Sequence, residues 1–344
     1  MNYCYYFIES CNNHINNVHN FCKRGEIVNL QSESSQLVEL NTTTQNTNHS
    51  ALVQQFMVFI RLLRPKQWTK NLLLFAGLVF SYNLFHLPLV IYAVMAFISF
   101  CLLSGCTYIL NDIIDIQEDR IHPRKKNRPL AAGKITVKQA VLGMIVLLIL
   151  ALALAWLVNP LFFIVGLFYF AFTVSYTLWL KYIVILDVFA IAFGFLLRAL
   201  AGAVAIEVTI SSWFLICTLL LSLFLALTKR RQESVNLANN GVEHRKVLAH
   251  YPVQYLDQLI SIVTASTIIA YSLYTFLDGH SGLFMLTIPF VVYGIFRYLY
   301  LVHNKNMGES PDEVLLKDKP LIINILLWVV VSIIILTLEH RGMI

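Results

Sequence analysis

Charge is what this sequence has least of. Of its 344 residues only 13% are Asp, Glu, Lys or Arg, while 58% are hydrophobic; a soluble domain of this size carries roughly 25% charged residues. That scarcity excludes an ordinary soluble enzyme, because it is concentrated in runs of membrane-spanning length. Gln139–Leu180 holds 42 consecutive residues without Asp, Glu, Lys, Arg or His, broken near its middle by Asn159-Pro160. Leu87–Asn111, Val208–Thr228, Gln258–Leu277 and Pro320–Leu338 are further runs without charge. Cysteine is scarce too, with six in all. Cys101, Cys106 and Cys217 lie in apolar runs as small buried side chains. Cys4, Cys11 and Cys22 sit near His14 and His19 at spacings that fit no usual zinc pattern. The opening MNYCYYFIES lacks the basic start and extended apolar core of a secretion signal.

What is present is an all-α polytopic membrane protein, since helices satisfy their own backbone in lipid. Nine spans are expected, at about 70–85, 87–112, 138–157, 160–180, 183–205, 210–229, 256–277, 282–302 and 320–338. Basic residues test the count. With the N-terminus inside, all but two of the 25 Lys and Arg fall in or beside inner segments, the exceptions being Arg198 and Arg341. That bias is the positive-inside pattern. The net charge of +6 therefore reports topology and anionic ligands at one face, not nucleic acid. Residues 1–55, rich in Asn, Ser, Thr and Gln, read as a disordered extension. Residues 56–344 read as one membrane domain, with any chemistry where the inner loops converge.

Where the second span ends, residues 111–133 read NDIIDIQEDRIHPRKKNRPLAAG. At 100° per residue Asp112, Asp115 and Asp119 fall within a 60° sector of one helix face, and Glu118 points elsewhere. Three clustered carboxylates repel one another unless a cation joins them. Mg²⁺ takes one or two carboxylates plus substrate phosphate oxygens, so a metal–diphosphate site is expected, with Mn²⁺ as the alternative ion. A solvated helix end is the plainer reading. It fits less well, because the macrodipole disfavours anions at a helix C-terminus.

The pattern N-D-x-x-D-x-x-x-D, followed by R-x-x-P-x-K-x-x-R-P-x-A-x-G, resembles the first aspartate-rich motif of the UbiA-type membrane prenyltransferase superfamily. Here it comprises Asn111, Asp112, Asp115, Asp119, Arg120, Pro123, Lys125, Arg128, Pro129, Ala131 and Gly133. The resemblance runs from about Leu63 to the C-terminus. It implies a UbiA-type bundle with a cytoplasmic-face active site in residues 56–344. Typical members carry a second aspartate-rich loop between spans six and seven. In this chain that loop, KRRQESVNLANNGVEHRKVLAHY at 229–251, has no aspartate but holds Lys229, Arg230, Arg231, Arg245 and Lys246.

That departure, with RPKQWTKN at 64–71, LDVFAIAFGFLLRALAG at 186–202, SSWFL at 211–215 and PDEVLLKDKPL at 311–321, resembles the decaprenyl-phosphate phosphoribosyltransferase branch. The resemblance implies transfer of 5-phosphoribose from phosphoribosyl diphosphate (PRPP) to a polyprenyl phosphate, at the inner face of the plasma membrane, within cell-envelope synthesis. Asp112, Asp115 and Asp119 would hold Mg²⁺ on the leaving diphosphate, and Asn111 would order the metal shell or a ribose hydroxyl. Lys229 and Arg230 would grip the 5-phosphate, although Lys229 with Glu233 also reads as an exposed i,i+4 pair. Lys66, Lys70 and Asn71 would receive the lipid head or the diphosphate, or the two lysines would only anchor a span at lipid headgroups. Arg120, Lys125 and Arg128 are expected at the phosphates. Lys181 and Asp187, after Tyr176, would meet donor phosphate and ribose or pair with each other. Arg198 is costly in lipid and needs a partner, for which Glu207 is a candidate. Two alternatives stand: a prenyltransferase using a polyprenyl diphosphate and an aromatic or other acceptor, and a non-catalytic transporter or lipid-binding protein.

Overall fold

The computed structural model describes residues 57–81, 83–121, 125–240, 250–278, 281–305, 308, 314, 317–341 and 343. The expected N-terminal extension, the N-terminal cysteines, and Pro123, Arg245 and Lys246 lie outside the described residues. Every regular element described is helical. A run of 3-10 turns, Pro65–Phe75, leads into α1 (Ala76–Phe80); α2 (Leu87–Ile114), α3 (Ile116–Ile121), α4 (Val137–Val158), α5 (Pro160–Leu178), α6 (Leu186–Ala205), α7 (Ser212–Asn240), α8 (Val253–Leu277), α9 (Ile288–Lys305) and α10 (Lys319–His340) follow. Phe59–Ile344 form one compact unit.

Among the described residues eight helical segments are long and apolar enough to cross a membrane, which makes the chain a multi-pass membrane protein. The first expected span takes another form. Pro65–Phe80 pairs eleven residues of 3-10 turns with five of α-helix. At about 2.0 Å rise per 3-10 residue and 1.5 Å per α residue, it still reaches about 30 Å, the thickness of the hydrocarbon core. It also starts earlier than the hydropathy suggests, at Pro65 rather than about residue 70, because proline suits the first position of a helical run, where its missing N–H costs no bond. Arg64, just before it, sits in the left-handed region at φ 50, ψ 64.

Local chemistry explains the other ends. Thr136 and Gln139 form a reciprocal capping box at the start of α4. The Asn159-Pro160 break is a helical hairpin in which Asn159 accepts from Phe162 N–H at 2.6 Å, with Pro160 in the first turn of α5. The Asn159 amide also donates 2.9 Å to the Val204 carbonyl at the far end of α6. Asp318 caps α10 through Leu321 N–H at 3.0 Å and takes both arms of Arg297, at 3.1 and 2.9 Å. The Arg297 guanidinium holds its carboxyl below the usual carboxylate range.

α6 is the central element. In its most apolar window 61% is buried, against 17% for α4. Its last turns carry small residues at Ala199, Ala201, Gly202, Ala203 and Ala205, which lets neighbouring backbones approach closely where lipid provides no hydrophobic drive between helices. Gly202 is the tightest point, since a Cβ there would lie 2.1 Å from the Leu74 carbonyl oxygen. Gly202→Ala is predicted to force Pro65–Phe80 away from α6 at a cost of about 1–3 kcal/mol. Thermal unfolding in detergent should show a lowered midpoint, and an unchanged midpoint would contradict the close approach.

Candidate active site

The aspartate motif straddles a one-residue interruption. α2 ends at Ile114, Asp115 is its C-cap at φ −87, ψ 10, and α3 resumes at Ile116. The three carboxylates therefore do not aim at one point. Asp112 and Asp119, both buried, converge on Arg128, whose Nη1 donates to Asp112 Oδ1 at 3.2 Å and to Asp119 Oδ2 at 2.5 Å. Arg64 makes a second ion pair with Asp112 and lies over the Tyr108 ring at 5.2 Å. Asp115 is turned instead to Lys181, whose Nζ donates at 2.9 Å, and it accepts 2.8 Å from the Asn111 amide.

The segment after α3 explains how Arg128 gets there. Arg128 N–H bonds Lys125 O at 2.9 Å and Lys134 N–H bonds Pro129 O at 2.9 Å, folding R-P-L-A-A-G into a compact turn. Gly133 closes it at φ 68, a conformation that costs glycine nothing. Lys125 lies at the start of this turn and is half-buried; Arg120 is exposed.

Among the described residues no group of three or more His, Cys, Asp or Glu forms a protein-only metal cage. Mg²⁺ does not require one. It binds through one or two carboxylates and completes its shell with phosphate oxygens and water. Asp112 and Asp119 supply two hard oxygen donors that already share one cationic nitrogen, and that donor set fits such an ion.

A second buried cluster lies at the same end of the bundle. Asp187, at the start of α6, is fully buried and receives Arg230 Nε at 2.6 Å and the Tyr251 hydroxyl at 2.7 Å. Arg230 also gives Nη1 to Glu233 at 2.5 Å and Nη2 to the Tyr176 hydroxyl at 3.5 Å. Lys181 and Asp187 thus each have a different partner rather than each other. Arg230, expected at a phosphate, is itself buried with its fork engaged. Lys229 is half-buried beside it.

Deeper in the bundle, Arg198 donates to Asn71 Oδ1 at 2.7 Å, Gly194 O at 2.8 Å and the Tyr169 hydroxyl at 2.6 Å, and stacks over Tyr169 at 4.9 Å. Glu207 is not its partner. It lies beyond the end of α6, exposed, about 13 Å along the axis from Arg198 at 1.5 Å per residue. Asn71, expected at a substrate, is buried in this network and also contacts Ser104. Lys66 is exposed and Lys70 is bonded to Gln67. Arg64 and Tyr251 were absent from the sequence-based site. Arg64 begins the RPKQWTKN stretch, and Tyr251 closes the basic loop, yet neither has a local pattern that announces its partner.

The chain matches the UbiA prenyltransferase family over residues 72–316. It belongs to that family. By that membership it is a transferase, which removes the support for a non-catalytic transporter. Decaprenyl-phosphate phosphoribosyltransferase of Mycobacterium tuberculosis is 32% identical over 281 residues, covering 78% of this chain and 91% of that protein. Its namesake from Corynebacterium glutamicum is 34% identical over 281 residues, covering 78% of this chain and 84% of the relative. A UbiA homologue from Archaeoglobus fulgidus, solved with GPP and Mg²⁺, superposes with a TM-score of 0.63 at 21% identity, covering 81% of this chain and 99% of that one. That likeness speaks to the fold alone.

Removing one member of the Arg230–Asp187 pair leaves a buried charge uncompensated, at about 3–5 kcal/mol. Arg230→Ala is predicted to lower the unfolding midpoint sharply. The double variant Asp187→Leu/Arg230→Met should recover part of the loss, the remainder reflecting Glu233 and the Tyr251 hydroxyl left without Arg230 and Asp187. Equal damage in both would show that the pair is not the source of the effect.

Proposed function

We propose that this protein transfers 5-phosphoribose from PRPP to a polyprenyl phosphate, releasing diphosphate, at the cytoplasmic face of the plasma membrane. The observation that carries the reading is similarity over 78% of this chain to decaprenyl-phosphate phosphoribosyltransferases of mycobacteria and corynebacteria. The aspartate-free stretch 229–251 supports it. The donor has one diphosphate and a separate 5-phosphate, so it needs one metal site and basic groups elsewhere, not two acidic loops.

Asp112 and Asp119 would hold Mg²⁺, with Mn²⁺ as the substitute. The ion when bound neutralises charge developing on the leaving diphosphate. Arg64 and Arg128, already at these carboxylates, would add positive charge around the same phosphates; arginine suits them through its forked donors. Asn111 and Lys181 fix Asp115. Exposed Arg120 and Lys66, together with Lys125, Lys70 and Lys229, supply further cations for the donor and the lipid headgroup. The acceptor phosphate is already an anion near neutral pH, so its oxygen attacks C1 of the ribose as the diphosphate departs, and no general base is required. Catalysis then rests on positioning and on stabilising an oxocarbenium-like state.

Purified protein given PRPP, Mg²⁺ and a C50 or C55 polyprenyl phosphate should form a phosphoribosylated lipid detectable by mass spectrometry. Turnover of a prenyl diphosphate instead, with none of PRPP, would contradict the reading. Asp112→Asn and Asp119→Asn should each cut metal-dependent turnover by at least about a hundredfold. Retained activity in either would remove the metal role assigned to that carboxylate.

A further inference from the structure

Tyr251 is buried, with its hydroxyl placed between two groups of one turn. It accepts from Ile185 N–H at 2.5 Å and donates to Asp187 at 2.7 Å. Ile185 sits at φ 72, ψ −47, a region that a β-branched residue adopts only under constraint. Such strain persists where the surroundings over-determine it, and it concentrates at functional sites. The Ile185 side chain cannot cap the first turn of α6, and the Ile185 N–H is met by the Tyr251 hydroxyl. The same turn carries Lys181, whose ammonium holds Asp115. Burial and the Asp187 carboxylate raise the phenol above its ordinary value, so the hydroxyl keeps the proton it donates.

We propose that Tyr251 is a positioning residue for the donor site, holding the strained turn at Ile185 so that Lys181 fixes Asp115 beside Asp112 and Asp119. The functional consequence rests on the phosphoribosyl-transfer reading above; the mechanical one does not. Tyr251 reaches this turn from the segment before α8, and so ties the end of the loop after span six to the aspartate motif. Without the hydroxyl the Ile185 N–H loses its partner, the turn relaxes toward negative φ, and Lys181 withdraws from Asp115.

The test compares Tyr251→Phe, Ile185→Gly and the double variant in the full chain. Glycine takes a positive φ freely, so Ile185→Gly removes the need for the clamp. Tyr251→Phe should raise the Michaelis constant for PRPP about tenfold while leaving kcat within about twofold. The double variant should return toward the wild-type value. Backbone hydrogen exchange over residues 180–187 should rise in Tyr251→Phe and fall back in the double variant, whatever the donor is. Unchanged exchange in Tyr251→Phe, or no recovery in the double variant, would overturn the proposal. If exchange behaves as expected but wild-type protein uses no PRPP, the functional reading falls and the clamp stands. If exchange behaves as expected but the Michaelis constant does not move, the positioning role is overturned.

Discussion

Opposite charges buried together at one end of a helical bundle are the constraint on which the rest of this structure depends. Asp112 and Asp119 meet at Arg128, Asp115 meets Lys181, and Asp187 meets Arg230. Four separate stretches of chain contribute these groups. A buried ion without its partner costs several kcal/mol, whereas a well-made pair roughly balances its desolvation. The pairs therefore add little net stability, but they penalise any arrangement that separates them. They fix where the ends of α2, α5 and α6 meet the later turns of α7.

The same pairing makes the site responsive to an anionic ligand. Arg64 and Arg128 stand at carboxylates that would otherwise repel each other, and both cations are about a quarter exposed. A magnesium–diphosphate ligand could satisfy both sides of that arrangement, the metal meeting the carboxylates and the phosphates meeting the arginines. Arg230 differs. At 1% exposure, with Asp187 and Glu233 bound, it belongs to the scaffold that holds Asp187. Arg198 is held by neutral acceptors inside the bundle, where carbonyl, amide and phenol oxygens share its charge.

Much of this was legible in the sequence. The uncharged runs and the bias of basic residues gave the spans, and Asn159-Pro160 marked a hairpin because both residues have a local helix-starting chemistry. The first span was legible only in outline, since period and hydropathy do not distinguish 3-10 turns from α-helix over so short a run. The aspartates were legible as a cluster. Their division was not, because a regular projection cannot anticipate the interruption at Asp115. Partner choice was the least legible part. Lys181 with Asp115 and Arg198 with Asn71 join residues 66 and 127 positions apart, and nearest-in-sequence reasoning offered Asp187 and Glu207 instead.

In the proposed reaction Asp112 and Asp119 would hold the metal under the donor diphosphate. Anomalous diffraction from crystals grown with Mn²⁺ and PRPP would locate that metal. A manganese peak at these two carboxylates is expected, with diphosphate beside it and Arg128 moved off at least one of them. A peak elsewhere, or diphosphate bound while Arg128 still joins Asp112 to Asp119, would contradict this assignment.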